Sequence, residues 1–356
     1  MVVGRSTGGI GVHVGQLTEE LRHLGHEVAI VTDPVTADRF GWSDALRWWP
    51  VGAGGLRWLP RTRRLFAGAD VVHAHGLQAG ALVSASLAVV RRRPRFVVSL
   101  HNAVLADGAR ARVAVAVERL VVGAADLVTG ASSDLVAGAT GLGARAAELA
   151  PVPSPRVARL LRQDVPSPQE RSGLVSTLLP GQLPPFPLVL TISRIAPQKS
   201  LHVLVSAAGR LSTPVVWAVV GAGDPDLLAE LERAAAGTGV RFIGARSDVD
   251  SWLRAATVLV LPSAWEARAL VVQEAMAAGT PVVATDVGGL PDLLQDAGWL
   301  VPAGSAAALA CAVDELLADA DRRAELSRRG RSEARSWADG EATARRWVSW
   351  YTHCRA

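Results

Sequence analysis

The stretch "PSAWEARALVVQEAMAAGTPVVATDVGGLPDLL" (residues 262–294) fixes the fold class. It is entered from the apolar run "TVLVLPS" (257–263) and contains a second run, "TPVVATD" (280–286). Continuous apolar runs separated by helical stretches indicate a parallel sheet covered on both faces. The small residues of "AMAAGT" let the intervening helix pack close to that sheet. Glu266 falls just after the first strand, and Glu274 stands eight residues on, at the head of a helix. Along a helix, eight residues span ~12 Å, comparable to the distance from a ribose to a hexose in a nucleotide sugar. Two carboxylates so placed suit hydrogen bonds from sugar hydroxyls. The alternative is a pair of solvated glutamates, but the flanking sequence is heavily apolar, and a carboxylate near a core is costly unless it has a partner or a task.

The same alternation runs outward. The second half continues as "LVLTIS" (188–193), "VVWAVVGAG" (215–223), "VRFIGA" (240–245) and "GWLVPA" (298–303). The first half has a strand stub "MVV", shorter than usual, then "EVAIVT" (27–32), "DVVHAH" (70–75), "RFVVSLH" (95–101) and "ADLVTGAS" (125–132). Val14, Leu17, Leu21 and Leu24 recur at helical spacing, and Gly25 stops that helix. Residues 151–187 are dense in proline and read as a linker. The expected organisation is an α/β chain of two Rossmann-like domains facing across a cleft. The first, on the acceptor side, spans 1–165. A Pro-rich linker spans 166–187, and a donor domain spans 188–335. A Trp-bearing amphipathic helix, 336–356, returns to the first domain.

A length of 356 residues suits two domains better than one core. Hydrophobic residues make up 49% of the chain, which excludes disorder. The net charge of +4 permits an anionic ligand or surface without requiring either, and no nucleic-acid partner is expected. Arginine replaces lysine everywhere except at Lys199, the only lysine. Cys311 and Cys354 match no metal spacing and need no disulfide, so a reducing, cytoplasmic setting is expected. The longest uncharged apolar stretch, "GALVSASLAVV" (80–90), is far short of the ~20 residues of a membrane helix. A peripheral place at the inner membrane face stays open, because tryptophans and arginines are interleaved in "WSDALRWWPVGAGGLRWLPRTRRLF" (42–66) and "RRRPR" (91–95) adds charge. A structured loop is the plainer reading of that stretch.

Several glycine and histidine patterns need weighing. "GAGDPD" (221–226) starts like a dinucleotide loop, but Asp226 stands where the third glycine belongs and would repel a pyrophosphate. "SRIAPQKS" (193–200) places Lys199-Ser200 as a phosphate loop would, yet Ser193 and Gln198 occupy the glycine positions and Pro197 removes a donor. "STGGIGVHV" (6–14) carries Gly8, Gly9 and Gly11, more than a turn needs, at the start of a helix whose free N–H groups suit a phosphate. His73 and His75 share one strand face without an apparent third ligand, so no metal is expected there and the pair reads as lining an acceptor site. "DVD" (248–250) has the look of a metal motif but sits at a helix start, where acids are common.

In register, these elements resemble retaining glycosyltransferases of family 4, the glycogen-synthase-like and phosphatidylinositol-mannosyltransferase-like group, which have the GT-B fold. The likeness rests on the 262–294 stretch, with its two glutamates eight apart. It also rests on the Gly-Gly loop at 8–9, "DVVHAHG" (70–76), "SLHNA" (99–103), "TISRIAPQKS" (191–200), "VVGAGD" (219–224), "FIGARSD" (242–248) and "DVGGLPDLL" (286–294). The resemblance implies a hexosyltransferase moving a sugar from a UDP- or GDP-linked donor to an unknown acceptor, with retained configuration and no metal or other cofactor. By that resemblance Arg194 and Lys199 contact the donor diphosphate, Glu266 the sugar hydroxyls and Glu274 the ribose. Ala245 and Arg246 cradle the base, and Leu270 and Val271 belong to the donor-binding set. Gly9 and Gly11 reach the phosphates or sugar, and His101 lines the sugar site near the reacting carbon. Two fixed cations beside a leaving diphosphate stabilise its developing charge. Three departures stand out. Ala267-Arg268-Ala269 replaces the family's Gly-Phe-Gly, Ser200 stands where glycine is frequent, and "APVPSP" (150–155) replaces Asn-Gly-Val-Asp. Two other classes remain: a nucleotide-sugar epimerase of similar shape, for which no acid/base set is evident, and a non-catalytic nucleotide-sugar-binding protein, which Arg268 keeps open.

Overall fold

Two parallel sheets order the chain, as the apolar runs require. The computed structural model describes residues 1–6, 8–47, 59–88, 90, 92–103, 108–181 and 186–352. It divides into two units, Met1–Pro153 with Ala338–Ala356, and Ser154–Trp337.

In the first unit the strands are β1 (Val2–Val3), β2 (Val31–Thr32), β3 (Leu46–Arg47), β4 (Val71–His75), β5 (Arg95–Leu100), β6 (Leu127–Gly130) and β7 (Ala147–Leu149). They lie in the order β3-β2-β1-β4-β5-β6-β7, with each neighbouring pair parallel. β2 is shorter than "EVAIVT" suggests, because its partner β1 has two residues and pairs through Val2 opposite Val31. The edge strands β3 and β7 carry no apolar run and are invisible to periodicity. The C-terminal helix Gly340–Thr352 belongs to this unit. Trp347 (2% exposed) packs with Leu17 and Leu21 of the helix Gly9–His23 and with Val97 and Leu127 of the sheet.

The second unit holds β8 (Leu188–Ile192), β9 (Val216–Val220), β10 (Val240–Gly244), β11 (Val258–Leu261), β12 (Val282–Thr285) and β13 (Trp299–Val301). Their order is β10-β9-β8-β11-β12-β13, again all parallel. Alternate residues of one strand enter opposite cores. Leu188 and Leu190 meet Trp252 and Met276. Val189 meets Leu204, Trp217 and Val313. Both faces of β8, β9, β11 and β12 are therefore buried, which is why these strands read as unbroken apolar runs.

The proline-rich stretch is not a linker, and the first domain ends at Pro153 rather than at 165. Leu160, in the helix Val157–Leu161, is fully buried in the second unit's core. Ser167 and Glu170 form a capping box at the start of the helix Pro168–Leu178. Proline in a first helical turn supports the helix instead of breaking it, and Leu174, Val175 and Leu178 pack on the same core. Residues 182–185 of that stretch, residues 48–58 of the Trp/Arg stretch, Arg91 and Cys354 lie outside the described residues. No helix among the described residues is long and apolar enough to cross a membrane.

In each sheet the strand order turns back once, between β1 and β4 and between β8 and β11. Ligands of such sheets bind outside the carboxyl ends of the strands at that point. Because Trp347 docks the last helix on the first sheet, Trp347→Ala should lower stability by about 3–5 kcal/mol. Urea unfolding followed by circular dichroism reads that loss, and an unchanged midpoint would contradict the docking.

Candidate functional site

The second switch point is built from three loops pressed together by glycine. After β8 the chain runs through Ser193–Ser200 along the loop Gly221–Asp224. A β-carbon on Gly221 would lie 1.9 Å from the Ser193 carbonyl oxygen, and one on Gly223 would lie 2.1 Å from that of Ile195. The N–H groups of Ile195 and Asp224 donate to the carbonyls of Ala222 (3.1 Å) and Ile195 (3.0 Å). The glycines of "VVGAGD" thus serve backbone approach, and Asp224 caps the helix Pro225–Ala234 by accepting from the N–H groups of Asp226 and Leu227. Pro197–Lys199 form a single 3₁₀ turn, and Ser200 takes left-handed backbone (φ 48°) before the helix Leu201–Ala208. That conformation favours glycine, the residue the family pattern has there.

A third loop, 262–269, leaves β11. Ala264 N–H donates to the Gln198 carbonyl (2.8 Å), and the Gln198 side-chain amide donates to the Trp265 carbonyl (2.9 Å). These bonds bring Lys199 to Glu266. The Lys199 ammonium donates to Oε1 of Glu266, which also accepts from Ser263 Oγ at 2.6 Å. Both charged side chains are largely desolvated, at 15% and 11% exposure. The Glu266 carbonyl accepts from Gly289 N–H (2.9 Å), and a β-carbon on Gly288 would meet that oxygen at 2.0 Å. Arg194, two positions after the end of β8, is exposed and makes no salt bridge among the described residues.

Glu266 and Glu274 do not share a helix. The helix begins at Leu270, so Glu266 lies in the preceding loop and Glu274 in mid-helix. The ~12 Å helical separation therefore does not describe the pair. Glu274 (3% exposed) accepts from Ser154 Oγ (2.7 Å) and pairs with Arg156 (3.3 Å), which also approaches Asp250. Burial raises its carboxyl above the usual range against the pull of Ser154 and Arg156. Ser154 N–H donates to the neighbouring Gln273 (3.1 Å). "APVPSP" thus supplies the partners of Glu274. Leu270 and Val271 are half-buried at the head of the same helix. Ala245 and Arg246 are exposed just after β10, where Arg246 grips Asp248 through two bonds of 2.9 and 3.0 Å. Asp248 stands at the N-cap position of the helix Val249–Ala255, with its carboxylate turned to Arg246 and no side-chain capping bond.

Arg268 turns away from this pairing. Its guanidinium stacks over Trp337 at 5.2 Å, and the Trp337 indole N–H donates to Glu333 at 3.0 Å. Desolvation lowers the Arg268 pKa, with Glu333 and Asp292 opposing.

At the first switch point four buried histidines cluster: His13 on the first helix, His73 and His75 on β4, and His101 just after β5. His73 bonds Tyr351 through Nδ1 and Ser99 through Nε2, both at 2.7 Å. A neutral ring donates through one of these nitrogens and accepts through the other. His75 Nδ1 lies 3.1 Å from His101 Nε2, and His75 Nε2 is buried without a partner. An unpaired lone pair costs less than an unpaired N–H. This argues that His75 donates through Nδ1 and that neutral His101 carries its proton on Nδ1. The His13 ring lies 5.7 and 5.8 Å from those of His75 and His101. Gly9 is exposed at the helix start. Gly11 has its N–H bonded to Ser6 Oγ (3.1 Å), and a β-carbon there would strike the Phe40 ring at 2.1 Å. The described residues contain no group of three or more His, Cys, Asp or Glu able to hold a metal ion.

Solved structures similar to this chain share its two parallel-sheet, Rossmann-like domains. HepE of Anabaena, solved with UDP, superposes with a TM-score of 0.83 at 20% identity over 99% of both chains. Sucrose-phosphate synthase of Thermosynechococcus elongatus does so at 0.78 and 23% identity over 98% of both. The fold is that of GT-B glycosyltransferases. Residues 8–155 match the model of the glycosyl transferase 4-like domain, and residues 186–319 match that of glycosyl transferases group 1. The two matches fall on separate parts of the chain, one over each parallel sheet. Named relatives include a D-inositol 3-phosphate glycosyltransferase of Xylanimonas cellulosilytica, 39% identical over 44% of this chain and 40% of that protein. An alpha-maltose-1-phosphate synthase of Mycolicibacterium smegmatis is 40% identical over 43% of this chain and 45% of its own. The matched part spans less than half the length of these relatives.

Sequence reading singled out Lys199 and Glu266 but gave no role to Gln198, Ser263 or Gly288. The glycine pair at 288–289 was the available signal for the last. Ser154 and Arg156 carried none, because their stretch read as a linker.

Burial holds His13 at about 4 and His101 at about 3, and pushes His73 and His75 well below the ordinary 6.5. The unfolded chain takes up protons below about 6.5 while the folded one does not, so stability is full above that pH and falls as pH drops toward 4. Each histidine contributes a slope of at most about 1.4 kcal/mol per pH unit. Melting temperatures between pH 7.5 and 5 should fall steadily, and a flat profile would mean the rings are not buried neutral.

Proposed function

We propose that the chain is a retaining hexosyltransferase that moves a sugar from a nucleotide-diphosphate donor to a hydroxyl acceptor without a metal ion. The observation that carries this reading is the Lys199–Glu266–Ser263 arrangement at the carboxyl edge of β8 and β11, in a domain of the glycosyl transferases group 1 family. In the unliganded chain Lys199 and Glu266 neutralise each other. A bound diphosphate gives Lys199 a stronger anionic partner and leaves Glu266 to accept from sugar hydroxyls. The bond from the anomeric carbon to the diphosphate oxygen breaks, and a bond to the acceptor oxygen forms on the same face. The acceptor's proton passes to the leaving phosphate. Lys199 and the exposed Arg194 meet the charge that develops there.

The remaining roles follow the same reading. Glu274, with Ser154 and Arg156 behind it, takes the ribose hydroxyls. Ala245 and Arg246 flank the base, and Leu270 and Val271 close the donor side. His101, Gly9 and Gly11 belong to the first domain, which takes the acceptor. UDP is the first nucleotide to test, because the Anabaena neighbour was solved with it.

A thermal-shift screen of UDP, GDP and their sugars should find one nucleotide that raises the melting temperature, since a ligand bound only by the folded state stabilises it. No shift with any of them would overturn the reading. With a donor in hand, Lys199→Ala should slow transfer by about 10²–10³-fold, the range for losing one preorganised charge-stabilising group, while the nucleotide dissociation constant changes far less. Wild-type turnover in that variant would refute the role of Lys199.

A further inference from the structure

The sheet that carries the donor site has a second opening at its other end. A cavity of about 440 Å³ lies where β8, β9, β11 and β12 begin, lined by Leu188, Val216, Thr257 and Pro281. The volume falls within the roughly 300–1,000 Å³ of small-molecule sites. Strands of this length separate the two edges by about 16 Å, so the cavity and the Lys199–Glu266 pair are distinct. One wall is the proline-rich segment, with Val165, Pro166, Phe186 and Pro187. Another is Gly279, whose left-handed turn (φ 76°) ends the helix that bears Glu274.

Two guanidiniums face this largely apolar space. Arg171 Nη1 donates to the carbonyls of Arg254 (3.0 Å) and Ala256, and Arg323 Nη1 donates to those of Leu316 and Leu317 (2.7 Å). Each closes a helix end with one nitrogen, a structural task. Their Nε and Nη2 atoms make no hydrogen bond among the described residues, and neither arginine has a salt bridge there. Burial, then the neighbouring Arg323 and Arg254, press Arg171 down to about 10. The acid that acts on Arg323 is Asp319, whose carboxylate already accepts from Arg322 N–H at 2.9 Å. Two cations that share a half-desolvated cavity and have only this one, already engaged carboxylate near them are costly unless an anion completes them.

We propose that this cavity is a second binding site, for a small organic anion in which a phosphate or carboxylate meets Arg171 and Arg323 and an apolar body lies along the proline-rich wall. It goes beyond the transferase reading and does not depend on it.

The probes are octyl phosphate below its micelle concentration, inorganic phosphate, and octyl glucoside as the neutral amphiphile. Titrations by calorimetry on the full chain should show octyl phosphate binding at least about tenfold tighter than either control, because both the tail and the charge contribute. Ala324→Phe, which adds bulk at the cavity lining and leaves both charges in place, should abolish that binding, as should Arg171→Met with Arg323→Met. Retained melting temperature in Ala324→Phe shows the fold is intact. Equal binding of inorganic phosphate or of octyl glucoside overturns the amphipathic assignment. No binding of octyl phosphate, or undiminished binding in Ala324→Phe, overturns the site. Anionic phosphatidylglycerol vesicles form a separate arm. Octyl phosphate binding with no vesicle binding assigns a free metabolite, whereas vesicle binding lost in Ala324→Phe assigns a lipid headgroup.

Discussion

The candidate site of the second domain stands on backbone contacts that no side chain permits. The loop carrying Lys199 lies against Gly221 and Gly223 at distances that exclude a β-carbon, and the carbonyl of Glu266 lies against Gly288 in the same way. These approaches are rigid because both partners are backbone. They determine where the two loops leave β8 and β11, and the bonds through Gln198 and Ala264 then fix the loops to each other. The ion pair between Lys199 and Glu266 follows from that framework. It is not what holds the loops, since a desolvated pair contributes little net stability once its lost hydration is counted. A charge pair placed where stability does not need it, at the edge where such sheets bind ligands, is in a position to exchange one partner for another.

The two domains present different chemistry at equivalent edges. The second offers charge: Lys199, exposed Arg194, Glu266, and Glu274 with its arginine. The first offers four histidines that burial keeps neutral, of which His73 bonds Tyr351 and Ser99, with Ser99 in turn bonded to Thr129, all neutral groups. An uncharged but polar edge suits a hydroxyl, and a cationic one suits a diphosphate. The C-terminal helix contributes to the neutral edge through Tyr351, so its return to the first domain completes that histidine network as well as the core around Trp347.

Much of this was legible in the sequence for a physical reason. Strands buried on both faces have to be continuous apolar runs, and nearly every one of those runs became a strand. β3 and β7 lie at sheet edges, where burial imposes no such pattern, and they left no signal. The proline-rich stretch misled because proline density alone does not separate a linker from a helix start. The Ser167-x-x-Glu170 capping box and the buried Leu160 decide that, and burial is not written in composition. Lys199 and Glu266 were identified by residue type and order. Their pairing was not, because sixty-seven positions separate them and only the parallel neighbourhood of β8 and β11 brings them together.

Arg268 illustrates how a departure from a pattern acquires meaning from its direction. Read along the chain, an arginine two residues after Glu266 threatens the same ligand. In the folded domain the loop turns between them, and the side chain stacks on Trp337, the last residue before the chain crosses back to the first unit. Ala267 and Ala269 on either side are buried, so the loop is packed rather than open. The energy of a desolvated cation over an indole, on the order of 2 kcal/mol, therefore goes into supporting the loop that presents Glu266. The change from Gly-Phe-Gly to Ala-Arg-Ala alters how that loop is braced, while the Lys199–Glu266–Ser263 contacts beside it stay intact.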